Sequence, residues 1–233
     1  MTEGKAEAQG EVQRFTLHQR IQHVLLFIPF FLLVITGFPL KFPNEWWSQP
    51  LVNLVGGWEM RGLIHRASGI FIVGLGIYHG LWYVVVERNP KKIVPRRQDV
   101  RDFVQHLKWL VGRAEKPRYG RYSWVEKFEY WGAGIGMVIM GTSGLVMMFP
   151  DWAFNTFPLA TYQVLWIVHS NWALFDTLVI LIWHMGNVHF TVKNFPMDRS
   201  WIDGKISLKK LREEHPLEYE ETTKKESEAD ASN

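Results

Sequence analysis

Residues 62–86 read GLIHRASGIFIVGLGIYHGLWYVVV, 25 residues with one fixed charge, Arg66. At 1.5 Å per residue a helix of that length reaches about 37 Å, enough to cross a hydrocarbon core of about 30 Å. A strand in lipid would leave its edge groups without hydrogen-bond partners, so the segment is predicted to be a membrane-spanning helix. It is not an ordinary anchor, because it carries His65 and His79 together with Gly69, Gly74, Gly76 and Gly80.

Three other segments have the same character, at about 21–40, 128–149 and 162–190. The fold class that follows is an all-α membrane protein, a bundle of four transmembrane helices. A mean hydropathy of −0.08 and 47% hydrophobic residues hide this, since apolar blocks and charged connections average out. Residues 1–19 form a polar N-terminal tail without the cationic start and apolar run of a signal peptide. Residues 20–190 form the membrane domain. Its 87–127 loop contains an amphipathic helix over 99–112 (Val100, Phe103, Val104, Leu107, Leu110, Val111), expected to lie against membrane lipid. Residues 191–233 form a C-terminal tail. From Glu213 on it is rich in Glu, Lys and Ser, so its end is expected to be disordered or to order only on a partner.

Lys and Arg number twelve in 87–127 and eight after Phe190, against two in 41–61 and none in 150–161. That bias places both termini and the long loop on the cytoplasmic side of a multi-pass protein of the cytoplasmic (inner) membrane. Trp46, Trp47, Trp58, Trp152 and Trp166 mark the opposite interface. The basic loop is explained by topology, and no nucleic-acid partner is expected.

With no Cys, the chain has no disulfide, thiolate zinc site, Cys-held iron–sulfur cluster or thioether-linked haem. Histidine remains, and intramembrane ionisable residues are kept mainly for function. Six of the nine fall in or at the ends of spans: His23, His65, His79, His169, His184 and His189. His65 and His79 are fourteen residues apart, close to one helix face and roughly 21 Å along it. His169 and His184 are fifteen apart, roughly 22 Å along the axis and about 60° around it. Facing helices with such pairs would set two bis-imidazole sites across the bilayer. Zinc wants three or four converging ligands, which separated pairs do not offer. A haem between helices fits such pairs, and glycines such as Gly69, one turn after His65, leave room for a flat ring. By helix phase His79 would face His184.

The runs Gln19-Arg20-Ile21-Gln22-His23, Thr36-Gly37-Phe38-Pro39, Leu63-Ile64-His65-Arg66, Val168-His169-Ser170-Asn171, Ile182-Trp183-His184-Met185, Gly204-Lys205-Ile206-Ser207 and Glu214-His215-Pro216-Leu217-Glu218-Tyr219 extend along nearly the whole chain. In order and spacing it resembles the cytochrome b (gamma) subunit of membrane-bound formate dehydrogenase and its relatives in nickel–iron hydrogenases and thiosulfate reductases. The resemblance implies a diheme cytochrome b that passes electrons between an iron–sulfur or multihaem cytochrome subunit and the quinone pool, menaquinone or ubiquinone. By position it implies His65 and His169 as ligands of the haem on the non-cytoplasmic side, and His23 and His184 as those of the cytoplasmic-side haem. The family needs no His at position 79, and the fourth span here has one extra residue between its two His. His23, His79, His184 and His189 therefore compete at the cytoplasmic end, and six His leave room for a third haem b beside the two expected.

Arg66 is the candidate partner of a haem propionate, because guanidinium matches carboxylate in bidentate geometry. In the resembling family the quinone site uses the start of the third span. The corresponding Tyr122-Ser123-Trp124-Val125-Glu126-Lys127 lacks that family's amide and Gly. Asp176, the one carboxylate deep in a span, is expected to be neutral and bonded to Thr142 or Ser143. No dinucleotide or nucleophile motif supplies primary chemistry, so no catalytic residue is assigned. The alternative is a non-redox membrane protein, an ion carrier or structural anchor whose His bind metal or simply hydrogen-bond.

Overall fold

The computed structural model describes residues 10–87, 92–192 and 194–230. Elements run β1 (Glu11–Gln13), α1 (Leu17–Lys41), α2 (Ser48–Leu54), α3 (Gly57–Trp82), α4 (Arg97–Leu110), α5 (Trp124–Met148), α6 (Pro150–Thr156), α7 (Leu159–Leu178), α8 (Met185–Val188), α9 (Ser200–Asp203), β2 (Lys205–Ser207), α10 (Leu208–Glu214) and α11 (Pro216–Asp230). A π-helical turn, Tyr83–Glu87, extends α3, and another, Val179–His184, joins α7 to α8. Four helical stretches are long and apolar enough to cross a membrane: Leu17–Lys41, Gly57–Glu87, Trp124–Met148 and Leu159–Val188.

The chain divides into two compact units. The first comprises Ile21–Trp82 and Gly132–Asp198, the greater part of all four spans. Its polarity is inverted relative to a water-soluble domain. Phe27, Ile28, Ile70, Ile77, Ile135, Val138, Ile167 and Ile182 are exposed, whereas Gln22, Thr36, Ser68, Ser143, Thr177 and His189 are buried. Lipid solvates the former and offers nothing to the latter, so polar side chains turn inward and bond to helix backbone or to one another. Thr36, Thr142, Ser143 and Thr177 each donate to the carbonyl four residues earlier, at 2.5–2.7 Å.

The second unit takes its described residues from 1–20, 83–131 and 199–233. Here β1 and β2 pair antiparallel, Val12 opposite Ile206, a small sheet that the all-α expectation leaves out. Arg14 is buried and ion-pairs with Glu126 and Glu218, and Arg121 reaches Glu218 at 2.8 Å. Glu218 belongs to α11, so the tail expected to order only on a partner is helical from Pro216. Pro at the first helical position and the two arginines on Glu218, Arg14 buried and Arg121 half-buried, account for the difference. Ser123 and Glu126 form a reciprocal capping box on α5: the Ser123 amide donates to Glu126 Oε2 at 2.7 Å and the Glu126 amide to Ser123 Oγ at 3.3 Å. Helix α4 carries its polar face inward, with Asp99 pairing with Lys127 at 2.7 Å and Asp102 buried, and leaves Val100, Val104, Leu107, Leu110 and Val111 exposed.

Candidate functional site

Helix α1 presents His23 and Thr36, α3 presents His65 and His79, α5 presents Ser143, α7 presents His169, and the π turn after it ends on His184. The structure sorts four of these histidines into two pairs. The rings of His65 and His169 have centroids 6.4 Å apart, and those of His23 and His184 are also 6.4 Å apart. An iron or similar ion bound linearly between two imidazole nitrogens at about 2.0 Å, with each ring centre about 1.1 Å behind its nitrogen, would space the centroids by about 6.2 Å. Both pairs meet that measure.

At the first pair each imidazole is held from behind in the same way. Thr36 Oγ1 lies 2.5 Å from the Leu32 carbonyl and 2.9 Å from His65 Nδ1. Ser143 Oγ lies 2.6 Å from the Ile139 carbonyl and 2.8 Å from His169 Nδ1. A hydroxyl has one proton and a carbonyl only accepts, so each hydroxyl donates to its own helix and accepts from the ring. Nδ1 therefore carries the hydrogen in both rings, and Nε2 keeps the lone pair that a metal requires. Gly37 and Gly144 follow the two hydroxyls. A Cβ at either would sit 3.1 Å from Cε1 of His65 or His169, so glycine permits the ring's close approach. No internal repeat stands out in the sequence, yet α1 with α3 and α5 with α7 carry the same hydroxyl–glycine–imidazole arrangement.

Across the second pair, the π turn resolves the phase problem. Fifteen α-helical residues would leave His184 about 60° out of register with His169, whereas a π turn absorbs one residue and restores the phase of a fourteen-residue interval. The ring standing 6.4 Å from that of His184 is that of His23, the partner the family resemblance implies, where phase alone suggests His79. His79 Nδ1 lies 2.6 Å from Gln22 Oε1 instead. His189 is buried just beyond α8, within electrostatic range of His23. Among the described residues, no group of three or more His, Asp or Glu converges as a metal ion would need.

Of the remaining candidates, Arg66 is exposed, and its guanidinium lies near Gly62 on its own helix. Arg61 and Arg66 both lie within electrostatic range of His65, and Arg61 donates to the Thr36 carbonyl at 2.6 Å. A Cβ at Gly69 would meet only Leu33, at 4.0 Å. Asp176 does not engage Thr142 or Ser143, whose hydroxyls are committed as described. It lies over Gly136 beside the Trp172 indole, where a Cβ would come within 2.7 Å of its Oδ2. Thr36 and Ser143 behind the imidazoles, Gln22 on His79 and Arg61 on the Thr36 carbonyl are roles that the sequence did not suggest. A Thr-Gly and a Ser-Gly dipeptide, each on the span before a His-bearing one, were the available signal.

In the second unit, Glu126 and Lys127 are occupied by the capping box and the Asp99 pair. His106 Nδ1 lies 2.9 Å from the Tyr119 hydroxyl. His215 donates from Nδ1 to the Gly120 carbonyl at 2.7 Å, and its Nε2 accepts from Arg14 at 3.2 Å, the bonding of a neutral ring. Burial lowers its pKa first of all, and Arg14 adds to this against the opposing pull of Glu126. Burial pushes the Tyr119 hydroxyl up to about 12.

Residues 14–217 match the model of the prokaryotic cytochrome b561 family. The chain belongs to that family. This cytochrome b, an integral membrane protein with haem b as its family's cofactor, is 25% identical over 209 residues to the formate dehydrogenase, cytochrome b556 subunit, of Haemophilus influenzae, covering 87% of this chain and 79% of that one. It is 26% identical over 208 residues to the nitrate-inducible formate dehydrogenase, cytochrome b556(Fdn) subunit, of Escherichia coli, covering 89% of each. It is 22% identical over 219 residues to the formate dehydrogenase, cytochrome b556(fdo) subunit, of Escherichia coli, covering 91% of this chain and 94% of that one.

Proposed function

We propose that this cytochrome is the diheme membrane subunit of a formate dehydrogenase-type respiratory complex. In this reading it exchanges electrons between an iron–sulfur or multihaem partner subunit and the quinone pool, with both termini cytoplasmic. The two imidazole pairs with equal 6.4 Å spacing carry the reading. His65 with His169 would hold one haem b and His23 with His184 the other. Bound there, haem supplies a one-electron couple. The chain's own part is to present two neutral imidazoles per site, to keep water away by surrounding them with apolar helices, and to fix their separation by helix packing. The convergent three-ligand cluster of an ion carrier is absent among the described residues, which favours this reading over the non-redox alternative.

The test is haem per chain, by pyridine haemochrome, in protein purified from haem-replete membranes. Two haems are expected, falling to one in His65→Ala and in His23→Ala and staying at two in His79→Ala. A colourless wild type, three haems per chain, or a haem lost in His79→Ala would overturn the reading.

A further inference from the structure

The duplicated hydroxyls behind His65 and His169 have a use beyond packing. Thr36 is wholly buried and Ser143 is 2% exposed, so neither bonds to water, and each has spent its proton on the turn below. We infer that Thr36 and Ser143 are matched positioning residues that clamp the Nδ1–H of His65 and His169, turning both Nε2 atoms toward one iron and raising the donor strength of both rings. This rests on the ligand reading proposed above.

A hydrogen bond from Nδ1–H to an oxygen whose own proton is engaged draws positive charge off the ring, and the chain of two bonds polarises cooperatively. A more basic imidazole favours ferric over ferrous iron. The clamp therefore holds down the reduction potential of this haem alone, because the hydroxyls touch His65 and His169 and not the His23–His184 pair. Glycine at 37 and 144 belongs to the same device, since it lets the ring come close enough to its hydroxyl neighbour.

The experiment is a potentiometric titration followed by visible absorption, with low-temperature electron paramagnetic resonance of the ferric state, on the purified full chain. Thr36→Val and Ser143→Ala are compared with Thr36→Ser, Ser143→Thr and His65→Ala. Each deletion is expected to shift the ferric-over-ferrous preference about tenfold, raising the potential by about 59 mV for a one-electron couple. The shift should fall on one haem, with altered g-values, and the hydroxyl-keeping swaps should stay near wild type. Potentials and g-values unmoved in both deletions, or equal shifts of both haems, overturn the inference. If Thr36→Val loses the haem, retention in Thr36→Ser supports the clamp, and loss in both refutes it. His65→Ala separates the two readings: full haem there sinks the ligand assignment, whereas loss of one haem with silent hydroxyl variants sinks only the clamp.

Discussion

His79 is held by Gln22, Nδ1 to Oε1 at 2.6 Å, in a helix pair whose outer surface is apolar. This bond between a buried amide and a half-buried imidazole braces α1 against α3, while the His23 ring stands opposite His184. Gln22→Leu removes this hydrogen bond between α1 and α3, so it should destabilise the protein by about 1 kcal/mol. Combining it with His79→Phe should recover part of the loss. Thermal unfolding in detergent checks this, and equal melting temperatures for wild type and Gln22→Leu would contradict it.

The π turn Val179–His184 makes a geometric prediction. Deleting Ile180 should convert it to plain α-helix with a fourteen-residue interval and keep both haems. Adding an alanine after Ile180 should rotate His184 away by about 100° and cost the haem proposed for it and His23. Haem quantification of both variants decides; loss on deletion would show that the extra residue does something other than set phase.

Gly37 and Gly144 set the depth at which His65 and His169 sit. A methyl at 3.1 Å from Cε1 forces a shift of a few tenths of an ångström, and a branched side chain forces more. Gly144→Ala should weaken haem retention severalfold and Gly144→Val should remove one haem of two. Unchanged haem content in Gly144→Val would place the ring elsewhere.

His215 predicts an acid-sensitive tail. Its folded pKa lies below the ordinary value of 6.5, chiefly through burial. Below pH 6.5 the unfolded segment takes up a proton that the folded one refuses, so stability falls as pH drops from 6.5 through the folded pKa and is fully present above 6.5. Hydrogen-exchange protection factors across 208–225, with rates corrected for their intrinsic pH dependence, should therefore fall between pH 6.5 and 5.5, and His215→Asn should flatten that slope. A slope unchanged in the variant would assign it to another group.

Lys127 and Asp99 are a largely buried ion pair, with side chains 9% and 13% exposed. Asp99→Asn leaves an ammonium without its counter-charge, at a cost of about 3–5 kcal/mol. Replacing both by leucine should be far milder. Protease susceptibility of α4 reports the difference, and equal susceptibility in the single and double variants would deny that the pair anchors this helix.

Hydropathy was sufficient to place four membrane helices, and the histidine inventory to mark polar residues inside them, because lipid penalises polar groups in a way composition records directly. Helix phase did not tell which imidazole meets which, whereas the family resemblance implied His65 with His169 and His23 with His184, the pairs whose rings stand 6.4 Å apart. His79 keeps the phase to face His184, yet Gln22 engages it, and a side chain's partner is chosen by the neighbouring helix rather than by its own. Fifteen residues between His169 and His184 look out of register until one turn widens from α to π, a change set by tertiary packing and not by local propensity. The same holds for the tail: residues 216–230 are too polar to bury a core of their own, and Arg14, some two hundred positions earlier in the chain, supplies the contact that orders their first turn. Lipid solvation acts on each segment separately and so shows in the sequence; hydrogen bonds between segments depend on where the folded chain brings them, which the tertiary structure alone decides.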